Sequence, residues 1–138
     1  MIVLDTNVVS ELMRKQPQPR VLDWLRRQNT VHLHLTALTV AEIRRRLALL
    51  PDGQRKRNLE YAFKAFLEKG FNGRILSFTS ETSTIYAPIY RARFQAGLAV
   101  GEIDLLIAAV AKEHGAALAT RNTSDFESCG LRLINPWR

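Results

Sequence analysis

The chain has 138 residues, enough for one compact domain with a real core. Its 46% apolar and 24% charged residues exclude a disordered chain, and no run approaches the roughly 20 apolar residues that cross a bilayer. A formal net charge of +7 points to a polyanionic partner, nucleic acid first, with a plain lysine- and arginine-rich surface as the simpler reading.

Ile2 to Leu4 is a short apolar run before a polar turn and predicts a buried strand. It stops at Asp5 with no basic segment before it, unlike a secretion signal. Val8, Val9, Leu12 and Met13 then recur at helical spacing. Pro17 and Pro19 punctuate, and Val21, Leu22, Trp24 and Leu25 mark a second short helix. Val31 to Leu35 alternates and predicts a strand, Thr36 to Thr39 a turn, and Val40 to Leu50 a helix broken by Pro51-Asp52-Gly53. Leu59, Phe63, Phe66 and Leu67 share one face of an amphipathic helix from Gln54 to Lys69, ended by Gly70. Arg74 to Phe78 predicts a strand and Ser80 to Gln95 a helix with a kink point at Pro88. Gly97 and Gly101 bracket a loop. Ile103 to His114 is a strongly apolar helix closed by Gly115, and Ala116 to Ala119 and Leu131 to Ile134 are the last strands. Alternating strands and helices, with continuous apolar strands, predict one α/β domain over residues 1–138. Its central sheet is parallel and flanked by helices. Cys129 stands alone, which excludes an intrachain disulfide and suits a reducing cytoplasm.

In such folds reactive groups gather beyond the carboxyl ends of the strands. Asp5 follows the first strand. Glu42 and Asp104 lie in the first turns of helices, and Asn122 and Asp125 follow the strand that ends at Thr120. Each has a structural alternative. Asp5 can cap a helix, Thr39 to Glu42 is a formal capping box, Asp104 can answer a helix dipole, and Asn122 and Asp125 suit a turn. Asp104 is the most telling, because Ile103, Leu105, Leu106 and Ile107 surround it and a buried charge needs a partner. Carboxylates that meet repel one another, and Mg²⁺ or Mn²⁺ relieves that repulsion through oxygen ligands. Such an ion also permits phosphodiester cleavage without a histidine base, and His32, His34 and His114 are poorly placed as ligands. The basic residues fall elsewhere: Arg44, Arg45 and Arg46 form one run, and Arg55, Lys56 and Arg57 another. They are candidate contacts to a nucleic-acid backbone, or a solvated helix face.

Ile2-Val3-Leu4-Asp5-Thr6-Asn7, Thr39-Val40-Ala41-Glu42, Asp104 with Ile107-Ala108-Ala109, and Ala119-Thr120-Arg121-Asn122 with Asp125-Phe126 resemble the PIN-domain ribonucleases. The likeness is greatest to the VapC-type toxins of bacterial toxin–antitoxin pairs, in their FitB-like branch, and extends to Asn135-Pro136-Trp137. It implies Mg²⁺- or Mn²⁺-dependent cleavage of RNA in the bacterial cytoplasm, usually by a homodimer. It also implies a small DNA-binding antitoxin that blocks the site and assembles with the toxin on operator DNA. By position, Asp5, Glu42 and Asp104 match the family's acidic triad, and Thr6, Asn7 and Thr120 its supporting polar residues. Asn122 departs from the fourth acid that many members carry, and Asp125 then completes the site. The implied arrangement has Asp5 and Asp104 ligating one ion, with Glu42 holding the attacking water or a second ion.

Two rivals stand beside this reading. A haloacid-dehalogenase-like phosphatase also begins with an aspartate after its first strand, but needs a second acid where this chain has Asn7. A non-catalytic RNA- or protein-binding module with a degenerate site rests on Asn122 alone. The apolar stretches Val8 to Met13 and Leu59 to Leu67 suit core burial, or an interface with a second copy or an antitoxin helix.

Overall fold

The computed structural model describes residues 1–99 and 101–138. Five short strands form one sheet: β1 (Ile2–Leu4), β2 (Leu33–Thr36), β3 (Ile75–Leu76), β4 (Ala117–Ala119) and β5 (Leu133–Ile134). Their order is β3-β2-β1-β4-β5 and every pairing is parallel. The chain therefore winds outward from β1 through β2 to β3, then crosses back to lay β4 on the other side of β1. The reversal between β1 and β4 is a topological switch point, where open α/β sheets form their crevice.

Helices α1 (Thr6–Leu12), α2 (Pro19–Arg26), α3 (Ala37–Ala48) and α4 (Gln54–Gly70) precede the crossing, and α5 (Ser80–Gln95) and α6 (Glu102–Glu113) carry it. Successive strand residues point to opposite faces, so β1 serves two cores. Leu4 packs with Val8, Val9, Leu35, Ile43, Phe63 and Leu67 on one face. Val3 packs with Ile89, Leu105, Ala108 and Phe126 on the other. Burial on both faces explains why β1 and β4 read as continuous apolar runs. Val8, Val9, Phe63 and Leu67 are buried in this core, which settles the core reading for those four side chains.

Several boundaries differ from expectation. Val31 is not in β2: Asn29 accepts from the Val31 N–H and starts a 3-10 turn over Thr30–His32. No turn separates β2 from α3, because Thr36 itself caps the helix by accepting from the Thr39 N–H. Gly70 falls inside α4, and β3 is shorter than Arg74 to Phe78. α5 runs through Pro88 without a break. The stretch after Thr120 is more than a turn, since Thr123–Cys129 forms a 3-10 helix that buries Phe126 and Cys129. The loop expected between Gly97 and Gly101 contains Val100, which lies outside the described residues. Gly115 follows α6 with φ +62°, the left-handed value that favours glycine after a helix. Among the described residues no helix is long and apolar enough to cross a membrane.

Leu118 is fully buried in the middle of β4. Leu118→Ala is expected to lower unfolding free energy by about 2–5 kcal/mol, read from the midpoint of urea unfolding. A change within the error of the parent would contradict the close-packed second core.

Candidate active site

Asp5 just past β1, Thr36 at the end of β2, Thr120 just past β4, Glu42 in the second turn of α3 rather than its first, and Asp104 in the first turn of α6 gather at one edge of the sheet. Asp5 sits at the carboxyl end of β1, where its N–H still donates to the Ala119 carbonyl at 2.9 Å. Its side chain is only 3% exposed. Oδ1 accepts from the Thr6 N–H at 2.8 Å, so Asp5 does cap α1. Oδ2 accepts from Thr120 Oγ1 at 2.8 Å, across the β1–β4 switch point, and from Asn7 Nδ2 at 3.4 Å. The cap on α1 and the contacts to Thr120 and Asn7 are thus one arrangement.

Glu42 does not close a capping box with Thr39. Its Oε1 accepts instead from Thr6 Oγ1 at 2.7 Å, and Oε2 pairs with Arg46 at 3.5 Å. The capping threonine is Thr36, one helical turn earlier, which leaves Glu42 free to face α1. Thr39 lies between them, its hydroxyl 3.1 Å from Thr6 Oγ1 and 3.4 Å from Thr36 Oγ1. Thr36 and Thr39 are fully buried and extend the hydroxyl network around Thr6, a role their places in the sequence do not reveal.

Asp104 is half-buried in the first turn of α6. Its carboxylate lies against Gly101, where an added Cβ would come within 2.9 Å of Oδ2. Glycine there lets the acid tuck in. Asp125 is exposed on the 3-10 helix after β4 and lines a cavity of about 300 Å³ with Asp104, Gly101 and Arg93. A more open neighbouring cleft is lined by Glu42, Gly101, Glu102 and Asp104. Asn122 behaves differently from the other polar candidates. Its side chain is exposed, and its link to the site is the backbone N–H, which donates to Thr120 Oγ1 at 3.1 Å. Asn7 completes the bracing by accepting from the Arg121 N–H at 3.2 Å. Arg121 in turn lies over the Trp137 ring at 5.3 Å, so the Asn135-Pro136-Trp137 segment supports this wall.

The acids feel one another. Burial raises the pKa of Asp5, partly opposed by the bonds from Thr120 and Thr6, and Glu42 and Asp125 raise it further. Asp104 is pushed up to about 6, first by burial, then by the charges of Asp5, Glu42 and Asp125, with Arg93 opposing. Removing such crowded charges from water is costly unless a cation joins them.

The donor set is oxygen alone, which suits Mg²⁺ or Mn²⁺. Among the described residues no three acids, histidines or cysteines converge as a ready-made cage. Mg²⁺ does not require one, since it commonly keeps several waters and takes one or two carboxylates. Asp5 and Asp104, the two acids whose pKa values are raised, therefore fit such an ion.

The basic candidates are less uniform. Arg46 reaches the site, bonding Glu42 and Ser10. Arg44, Arg45 and Arg55 are exposed. Lys56 is held by the Ala48 carbonyl and Asp52, and Arg57 by Gln54, so both are partly committed to the α3–α4 corner. Besides Thr36 and Thr39, a buried charged residue beside these acids was not anticipated. Arg93 extends the inward stripe of Thr82 and Ile89 on α5, and that spacing is the only signal the sequence carries for it.

A family model for the PIN domain matches residues 2–129. VapC ribonuclease Y4jK of Sinorhizobium fredii is 42% identical over 137 residues, covering 99% of this chain and 98% of the relative. Toxin FitB of Neisseria gonorrhoeae is 40% identical over 137 residues, covering 99% of each. A solved structure of FitAB bound to an IR36 DNA fragment superposes with a TM-score of 0.93 at 40% identity, covering 100% of this chain and 96% of the matched one.

The crowding of charge makes a prediction about pH. Without metal, the folded chain holds the Asp104 proton up to about pH 6, whereas an ordinary aspartate releases it near 3.8. Stability from this group is therefore present at low pH and lost as pH rises through that window. Asp104→Asn removes the loss. In chelator, its Tm gain over the parent should be larger at about pH 7.5 than at about pH 4.5. Equal gains at both, or a net loss at the higher pH, would contradict the crowding.

Proposed function

The chain belongs to the PIN-domain family, and on that premise we propose that it is a divalent-metal-dependent endoribonuclease, the toxin of a toxin–antitoxin pair. What carries the reading is the meeting of Asp5, Glu42 and Asp104 at the switch point of a basic chain, with Asp104 raised to about 6. Asp5 and Asp104 would hold the ion. Thr6, Asn7 and Thr120 fix the Asp5 carboxylate, taking both acceptor positions of Oδ2 and one of Oδ1 and leaving one position on Oδ1. Glu42, steadied by Thr6 and Arg46, orients the attacking water and takes its proton. Asp125 closes the far wall, and Asn122 serves it through its backbone. The ion, when bound, supplies the positive charge that acidifies a water and neutralises the leaving oxygen.

Arg44, Arg45 and Arg46 continue from Glu42 along α3 and hold the RNA backbone, with Arg55, Lys56 and Arg57 extending the basic track. The likeness to FitB and to FitAB bound to DNA supports an antitoxin partner and assembly with it on operator DNA. We assign a homodimer and a bacterial cytoplasmic location on the same family ground.

Purified chain is expected to cut RNA with Mn²⁺ or Mg²⁺ and to stop in excess chelator. Asp5→Asn, Glu42→Gln and Asp104→Asn should each lower the rate about 100-fold or more while staying folded. Wild-type rates in these variants would sink the site assignment. Undiminished cleavage in chelator would sink the metal dependence instead.

A further inference from the structure

Arg93 is a charged residue that is only 5% exposed. Its guanidinium makes no ion pair among the described residues. All its bonds go to neutral oxygens. Nε and Nη2 donate to the Ala99 carbonyl at 3.1 and 2.9 Å. Nη1 donates to the Asp125 carbonyl at 2.7 Å and to Ser128 Oγ at 3.2 Å. One planar group thus ties together three pieces of chain: α5, the segment leading into α6, and the 3-10 helix after β4.

A buried guanidinium without a carboxylate partner is expensive. Charge-assisted bonds to three oxygens recover part of that cost. The rest comes from the acids beside it, since Arg93 shares its cavity with Asp104 and Asp125. A Lys could offer one point charge, but not a fork that spans two carbonyls in opposite directions. The segments that Arg93 grips are the ones that carry the two acids least braced by other side chains. Asp5 and Glu42 have Thr6, Asn7 and Thr120 to hold them. Asp104 and Asp125 depend on where their backbone is set.

We propose that Arg93 is a positioning residue, which clamps the start of α6 against the post-β4 helix and so fixes Asp104 and Asp125 relative to Asp5. Its effect on catalysis rests on the nuclease reading, whereas the clamp itself does not.

The test compares full-length Arg93→Met and Arg93→Lys with the parent. Three quantities are read: Mn²⁺ affinity by calorimetry on metal-free protein, kcat and KM for RNA cleavage, and amide hydrogen exchange. Arg93→Met should weaken Mn²⁺ binding about tenfold or more and lower kcat by a similar factor, the scale of losing a residue that orients a ligand. KM should stay within about twofold, because Arg93 does not touch the substrate. Amides at Gly101 to Leu105 and Asn122 to Cys129 should exchange faster, with those of β1 and β2 unchanged. Arg93→Lys should fall between the two. Arg93→Met with parental Mn²⁺ affinity and kcat, whatever its Tm, overturns the proposal and leaves an ordinary fold staple. A rise in KM alone overturns it in favour of a substrate contact. If Arg93→Met does not fold, Arg93→Lys and Ser128→Ala carry the same comparison with smaller changes in the same direction. If the parent neither binds Mn²⁺ nor cuts RNA, the nuclease reading fails, and hydrogen exchange still decides the clamp.

Discussion

A carboxylate at the end of the central strand has nowhere to go: Asp5 is held at the junction of β1, α1 and β4 and almost sealed from water. It remains tolerable because donors from three places reach it, the Thr6 N–H, Thr120 Oγ1 and Asn7 Nδ2. The bond from Thr120 also joins β1 to β4 at the point where the winding of the sheet reverses. Thr6 then passes the constraint on, since its hydroxyl holds Glu42 while its N–H holds Asp5. Replacing Asp5 with an apolar residue would therefore free the donors of Thr6 and Thr120 inside the protein, a penalty beyond the loss of one acid.

The second half of the site is built on weaker ties. Asp104 leans on Gly101 and Asp125 is open to solvent. Their segments are fastened from beneath by a single guanidinium rather than by a web of hydroxyls. This division gives one rigid wall and one wall whose placement depends on a few backbone contacts. It also explains why positive charge inside the fold does not cancel the acidity of the crevice. Arg93 directs its donors to two carbonyls and the Ser128 hydroxyl, and opposes the shift of Asp104 without removing it.

Much of this was legible in the residues. β1 and β4 announce themselves as apolar runs because both faces are covered, and Asp5 is fixed as the residue one step past β1. Glu42 and Asp104 are marked instead as acids near the starts of α3 and α6. What the sequence hid has physical reasons. Thr36 and Thr39 are both competent caps, and only the three-dimensional start of α3 chooses Thr36, which turns Glu42 from a capping residue into a partner of Thr6. Val31 has the branched side chain of a strand residue, but Asn29 captures its N–H first. Phe126 and Cys129 are the sole apolar marks of the post-β4 helix, too few to show a period. Arg93 lies two residues from Arg91 in a basic chain and looks like surface; its partners are two main-chain carbonyls and one serine hydroxyl, none of them an acid that would mark an ion pair.

The all-parallel sheet has a consequence in time. No strand pairs with its neighbour in sequence through a local hairpin, and β1 meets β4 across 115 residues at the Asp5–Thr120 bond. Contacts between such distant segments form late, because the loop between them must close first. During synthesis, β1 leaves the ribosome long before β4 exists to pair with it. Asp5 then lacks Thr120, and Asp104 and Asp125 have yet to be made. The growing chain carries Asp5 through most of translation before the residues that surround it in the folded crevice have been made.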